Sequence, residues 1–110
     1  MAGSFELSKG SDNQFRFVLK ASNGETVLSS EGYTSKASAE SGIASIQANC
    51  GEDSRYEKKE SKNGKFYFVL KAANHQVIGT SQMYASAQAR DGGIEATRTN
   101  GKTTVIRSNA

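Results

Sequence analysis

The sequence predicts an α+β fold. Two tandem β-β-β-α(-β) repeats are expected to form one antiparallel sheet with pseudo-twofold symmetry, both helices on one face and C-terminal strands exchanged between repeats. The first observation behind this is a gapless internal repeat. Phe15-Arg16-Phe17-Val18-Leu19-Lys20-Ala21 returns as Phe66-Tyr67-Phe68-Val69-Leu70-Lys71-Ala72, 51 positions on. The same offset aligns Glu6 with Glu57, Asn23 with Asn74, Ser30 with Ser81, Tyr33 with Tyr84, Gly42 with Gly93, Ile43 with Ile94 and Asn49 with Asn100. The second is a period-2 alternation of inward and outward residues early in each copy. The third is a change of period after Ser35 and Ser86, from two to a helical spacing.

Each element has a local reason. Phe5 and Leu7 alternate with Glu6 and Ser8, which makes a first half-buried strand. In the second strand Phe15, Phe17 and Leu19 point inward, and Arg16, Val18 and Lys20 outward. The second copy sets Phe66, Phe68 and Leu70 against Tyr67, Val69 and Lys71. Asp12-Asn13 and Asn63-Gly64 are turn formers between strands one and two. Asn23-Gly24 and Asn74-His75 turn the chain into third strands at Thr26 to Ser29 and Val77 to Thr80.

Ser35 and Ser86 are placed to cap helices of about fourteen residues, since a hydroxyl accepts from the free amides of a first turn. Ala39, Ile43, Ile46 and Cys50 fall on one face of the first helix; Ile94 and Thr97 are poorer equivalents in the second. Asn100-Gly101 reads as a C-terminal stop. Gly42 and Gly93 occupy matching mid-helix positions, where glycine costs about 1 kcal/mol relative to alanine, so close approach of each helix to the sheet or the other helix is expected. A closing strand follows each helix, at Arg55 to Lys59 and at Thr103 to Arg107, with Val105 and Ile106 as the latter's apolar pair.

Repeats of roughly 50 residues bury little surface alone. The 110 residues are therefore expected to form a single domain, 1–110, made of repeats at about 5–54 and 56–107. No linker composition separates the copies. Met1 to Ser4 and Ser108 to Ala110 read as loose ends. The net charge of +3 permits weak attraction to anions but is no commitment to nucleic acid. No apolar stretch approaches a membrane span of roughly 18 residues, and the N-terminus lacks a signal-peptide core. A lone cysteine forms no internal disulfide, so the cytoplasm is the expected compartment. Doubling within one chain replaces a homodimer of single units, so a monomer is the expected state.

The doubled Phe-x-Phe-Val-Leu-Lys-Ala followed by Asn, and Ser-x-x-Tyr-x-Ser ahead of a helix with mid-helix Gly-Ile, resemble the YegP-like bacterial proteins from Phe5 to about Arg107. The resemblance implies tandem β(3)-α-β units in a single sheet with exchanged closing strands. It implies no activity and supplies no catalytic residues.

The inventory of chemistry is thin. With one histidine and one cysteine, a zinc site would need carboxylates, and no ligand-like spacing is present; no metal or cofactor is expected. His75 reads as a turn residue and Cys50 as a half-buried structural thiol. Asp91-Gly92-Gly93 lies within a helix and is no phosphate loop. Glu6 and Glu57 are expected solvated on the outward sheet face, and Glu40 and Asp91 in early helix turns facing the dipole.

A non-enzymatic binding or interaction module with a protein or polyanion partner is the expectation, ahead of an enzyme using an unrecognised Ser, Tyr or carboxylate. The alternative is a weak binder of single-stranded nucleic acid or another polyanion. Its anion site would be Arg16, Lys20, Tyr67 and Lys71 on the open sheet face, joining phosphate attraction to base stacking.

Overall fold

The computed structural model describes residues 3–108. In chain order they form β1 (Ser4–Lys9), β2 (Phe15–Lys20), β3 (Thr26–Ser29), α1 (Lys36–Asn49), β4 (Tyr56–Glu60), β5 (Phe66–Lys71), β6 (Val77–Thr80), α2 (Ala87–Asn100) and β7 (Ile106–Ser108). Two helices lie against one seven-stranded sheet of order β4-β5-β6-β3-β2-β1-β7. The expected all-antiparallel sheet is corrected at one edge: β7 runs parallel to β1, so the sheet is mixed. The reason is topological, because β7 returns from a helix rather than from a hairpin.

The turns follow the predicted chemistry. Asn13, Gly24, Gly64 and His75 all take left-handed backbone conformations, with φ of 64°, 87°, 79° and 69°. Asparagine and glycine tolerate this region best, which accounts for three of the four. Ser35 Oγ accepts from Ser38 N at 3.1 Å, and Ser86 Oγ from Ala89 N at 3.0 Å, so both helices start where the capping serines set them.

Repeat-matched residues make repeat-matched contacts. Ser30 Oγ accepts from Phe17 N and donates to Glu31 O; Ser81 Oγ accepts from Phe68 N and donates to Gln82 O. Tyr33 stacks on Phe17 with ring centroids 6.1 Å apart, and Tyr84 on Phe68 at 6.5 Å. Those tyrosines explain the mid-helix glycines. A Cβ on Gly42 would meet Tyr33 Oη at 2.6 Å, and one on Gly93 would meet Tyr84 Oη at 2.2 Å.

One core cluster draws on both halves. It holds Phe5, Leu7, Phe17, Leu19, Val27, Leu28, Phe68, Leu70 and Ile78 from the sheet, with Ala39, Ile43, Ile46, Cys50 and Ile94 from the helical segments. Helix α1 packs on β2, β5 and β6, and α2 on β2, β3 and β5, so each helix bridges the two halves. Three contacts join residues 51 positions apart. Ser29 pairs with Thr80 across β3 and β6. Gly79 lies under Leu28, where a Cβ would approach Cδ2 to 2.5 Å. Gly101 lies against Cys50, where a Cβ would come 2.8 Å from Cβ and 2.9 Å from Sγ.

Helix α2 stops at Asn100 with Gly101 as its cap, as expected, but not through a left-handed glycine. The φ of Gly101 is −67°, an ordinary right-handed value, so crowding by Cys50 rather than backbone conformation requires glycine there. Cys50 is fully buried, not half-buried. The second closing strand is shorter than predicted, and Val105 and Ile106 are 45% and 46% exposed because β7 is an edge strand. The ends are tied where they are described: Gly3 O accepts from Thr103 Oγ1 at 2.7 Å, Ser4 opens β1 and Ser108 closes β7. Met1, Ala2, Asn109 and Ala110 lie outside the described residues. The first closing strand begins one residue later than predicted, after a single 3-10 turn at Asp53–Arg55.

Neighbouring glycines of α2 give opposite predictions. A Cβ on Gly92 meets nothing within 4 Å, so Gly92→Ala should stabilise the chain by about 0.5–1 kcal/mol through helix propensity. Gly93→Ala should destabilise it by about 1–3 kcal/mol, because Tyr84 must move. Urea denaturation of the two variants reads the difference; equal effects would remove the steric account.

Burial raises the Cys50 thiol above its ordinary 9.0 against the opposing pull of Lys102 and Arg98, and burial is the main cause that raises the Tyr56 hydroxyl above its ordinary 10.0. The folded chain therefore keeps these protons where the unfolded chain has begun to lose them. The associated stability is complete below about pH 9 and is lost as pH rises through 10 and beyond. The urea midpoint should fall above pH 9, and less steeply in Cys50→Ala than in the native sequence.

Candidate functional site

The outward sheet face is built as the alternation requires, but its cations are engaged. Lys20 Nζ lies 3.5 Å from Glu6 Oε1, and its repeat equivalent Lys71 lies 2.8 Å from Glu57 Oε1. Lys59 also reaches Glu57, at 3.6 Å. Arg16 holds both oxygens of Asp12, at 2.8 and 3.2 Å. That hydrogen bond, with one from Gln14 N, lowers the Asp12 carboxyl to about 2. The hydrogen bond from Lys71 is the first cause that lowers Glu57. The glutamates expected to be solvated thus form one ion pair repeated twice. Such exposed pairs hold side chains in place more than they hold the fold together.

The four residues of the expected anion site are not brought into one cluster. Arg16 and Lys20 lie on β2, Tyr67 and Lys71 on β5, and β3 and β6 run between them. At about 4.8 Å per strand the two pairs stand on the order of 14 Å apart. Val69, expected outward and wet, is buried at 5% exposure between Glu57 on β4 and Thr80 on β6.

Sequence reasoning missed a second surface. A cleft of about 690 Å³ opens between β4 and α2, lined by Asp53, Tyr56, Glu57, Lys58, Asp91, Ile94, Glu95 and Arg98. β4 ends the sheet, with β5 as its neighbour on one side. Arg98 pairs with Asp53 and Glu95 and lies 6.0 Å from the Tyr56 ring centroid. Lys58 pairs with Asp91 at 3.3 Å, and Arg90 reaches the same carboxylate at 3.1 Å. The Arg90 hydrogen bond is the largest influence that lowers Asp91. Tyr56 Oη donates to Cys50 O at 2.6 Å.

The legible signal for this cleft is a mismatch between copies. Leu7, on the covered edge, is replaced by Lys58 on the open one. Glu40 and Asp91 are each the fifth residue of their helices, within the early turns expected, and Asp91 also serves the cleft. His75 caps a turn with its left-handed backbone, away from the cleft lining. Among the described residues no group of three or more His, Cys, Asp or Glu side chains is placed to hold a metal ion. No described helix is long and apolar enough to cross a membrane.

Comparison with known proteins matches both copies. A family model described as a domain of unknown function (DUF1508) matches residues 11–57 and again 61–107. The UPF0339 protein YegP of Shigella flexneri is 66% identical over 109 residues, 99% of each chain. A solution NMR structure of the Escherichia coli protein of unknown function yegP superposes with a TM-score of 0.94 at 65% identity, covering 99% of this chain and 94% of that one. The solution NMR structure of a UPF0339 protein from Shewanella oneidensis gives 0.93 at 58% identity, covering 98% and 92%. The repeat seen in the sequence is thus a tandem pair of DUF1508 units, and the chain belongs to the YegP-like UPF0339 family, whose function is unknown.

Proposed function

We propose that this chain is a small non-enzymatic interaction module of the bacterial cytoplasm, a monomer whose two repeats, about 5–54 and 56–107, form one domain. In this reading a pseudo-twofold axis relates the repeats, both helices cover one sheet face and the closing strands are exchanged. The three contacts between residues 51 apart support the axis, because only residues near a twofold touch their own equivalents.

The single observation that carries the module reading is the state of the cleft. Its charged side chains are committed to one another: Arg98 to Asp53 and Glu95, Lys58 to Asp91, and Glu57 to the neighbouring Lys71. A general acid or base needs a proton equilibrium poised near the working pH. Here Glu57 and Asp91 are both driven further towards the permanently charged form. Such a surface presents fixed charge and an open strand edge, which suits recognition.

The polyanion alternative asks Arg16, Lys20 and Lys71 to leave their carboxylates. Three cations would give a salt slope of only about two on single strands, at roughly 0.7 per phosphate. A titration with labelled single-stranded oligonucleotides should show no binding at physiological salt. Binding that Arg16→Ala and Lys71→Ala weaken would favour the alternative.

The module reading is tested by cross-linked capture with the full chain beside an Asp91→Lys/Glu95→Lys variant of unchanged urea midpoint. The expected result is a partner held by the native cleft and lost from the variant. A reproducible turnover in an activity screen, with no partner retained, would overturn it. Light scattering should return the mass of a single chain.

A further inference from the structure

We propose that the open edge of β4 and the cleft beside it bind an extended, basic peptide segment of a partner protein, added parallel to β4 as β7 is added to β1; this deepens, and rests on, the interaction-module reading above.

The molecule carries its own template for this. Along β1, Phe5 N donates to Val105 O at 2.9 Å, and the strands pair Phe5 with Ile106, Glu6 with Arg107 and Leu7 with Ser108. The segment leading into β7 is held by α1 and by the N-terminal end of β1. Gln47 Nε2 donates to Thr103 O at 2.8 Å, and Thr103 Oγ1 donates to Gly3 O. The C-terminal segment thus fills the position beside β1 and α1 that stands as a cleft beside β4 and α2.

The chain cannot close its second edge the same way. Shifting the pair Phe5–Ile106 by the repeat offset asks Tyr56 to pair with Arg55, its own neighbour. Joining the copies merged the closing strand of the first with the opening strand of the second, so the cover for β4 must come from another chain. An unpaired edge accepts a strand through main-chain hydrogen bonds, with alternate side chains giving selectivity.

The surroundings specify the chemistry of that strand. By the β7 register, the residue opposite Tyr56 faces the cleft over Tyr56 and Ile94, which suits a branched apolar side chain. The next lies against Glu57, which suits a cation. The lining itself carries four acids, Asp53, Glu57, Asp91 and Glu95, against two bases, Lys58 and Arg98, while Lys59, Lys71 and Arg90 reach Glu57 and Asp91 from its margin. The template segment itself carries Lys102 and Arg107. A second copy is the poorer occupant. Its C-terminal segment is already held on its own β1. Antiparallel pairing of two β4 strands about a twofold between Lys58 and Lys59 would set Glu57 against Glu60 and Lys58 against Lys59 as like charges.

The test is an amide NMR titration of the full chain with a capped synthetic peptide of the sequence Lys102–Ser108. Peptide-side changes leave the protein fold untouched: one peptide with Arg107→Glu, one with Ile106→Pro to remove a main-chain donor, and one scrambled. The expected result is saturable shifts confined to Tyr56–Glu60 and to Asp91, Ile94, Glu95 and Arg98, with affinity at least tenfold weaker for each altered peptide. No saturation at millimolar peptide, equal binding of the scrambled peptide, or shifts centred on β1 would overturn the proposal. Concentration-dependent shifts of β4 without peptide would overturn it too, by naming a second copy as the occupant. Capture of a partner on another surface would remove this proposal and leave the module reading standing, whereas turnover without a partner would remove the module reading itself.

Discussion

Where the two copies meet, equivalent residues compete for the same space, and the sequence resolves each competition by reducing one of them. Leu28 is large and Gly79 has no side chain; Cys50 fills its site and Gly101 yields. Two leucines or two cysteines of equal claim would collide. Burial of Leu28 at 1% exposure is worth on the order of 1.5–3 kcal/mol, and a Cβ 2.5 Å from its Cδ2 would forfeit much of that. Because β3 and β6 share a single registered pair, Ser29 with Thr80, the sheet alone joins the halves weakly. The close approach of Gly79 and Gly101 lets the helices bridge the seam, and the common core depends on that bridging.

Fusion of two copies has a second consequence at the sheet edges. The pairing of β7 with β1 leaves one strand too few for the other edge, since the single strand β4 lies between the first helix and the second copy. The first copy receives β7 and the second receives nothing. Side chains record the difference. Phe5 and Leu7 are buried at 0% and 1% exposure, whereas their equivalents are a half-buried tyrosine and an exposed lysine. A lysine on an unpaired edge opposes indiscriminate strand pairing. The open edge is thus both protected and specific.

Much of the fold was legible because its signals are local. Alternation located β2 and β5, serine caps located both helix starts, and Asn and Gly located the turns. What escaped prediction depends on contacts remote in sequence. Asn100-Gly101 marks the helix stop correctly, but nothing in it reveals that Cys50 lies opposite. The parallel run of β7 depends on which edge a returning segment reaches, and three residues carry too little pattern to say. The outward cations were identified as surface residues, but alternation is blind to the strands separating β2 from β5. It is equally blind to the diagonal reach that brings Lys71 to Glu57.

Shared and differing positions of the two copies follow their surroundings at the core and at the open edge. The inward residues of β2 and β5 are identical between copies, as are Tyr33 and Tyr84 and the glycines beneath them, because both copies place them in the same surroundings. Among the positions that differ, three fall where the surroundings differ. Leu7 becomes Lys58, Ala44 becomes Glu95 and Gln47 becomes Arg98, all beside the edge that β7 covers in one copy and leaves open in the other. Gln47 spends its amide on Thr103 O, a contact that exists only with the closing segment in place. Arg98, with no such segment, pairs with Asp53 and Glu95 instead. A charged, ordered cleft therefore stands where simple solvation of an edge would need only scattered polar residues. The second copy has diverged into a surface of defined charge arrangement while keeping the backbone geometry that, in the first copy, receives a strand.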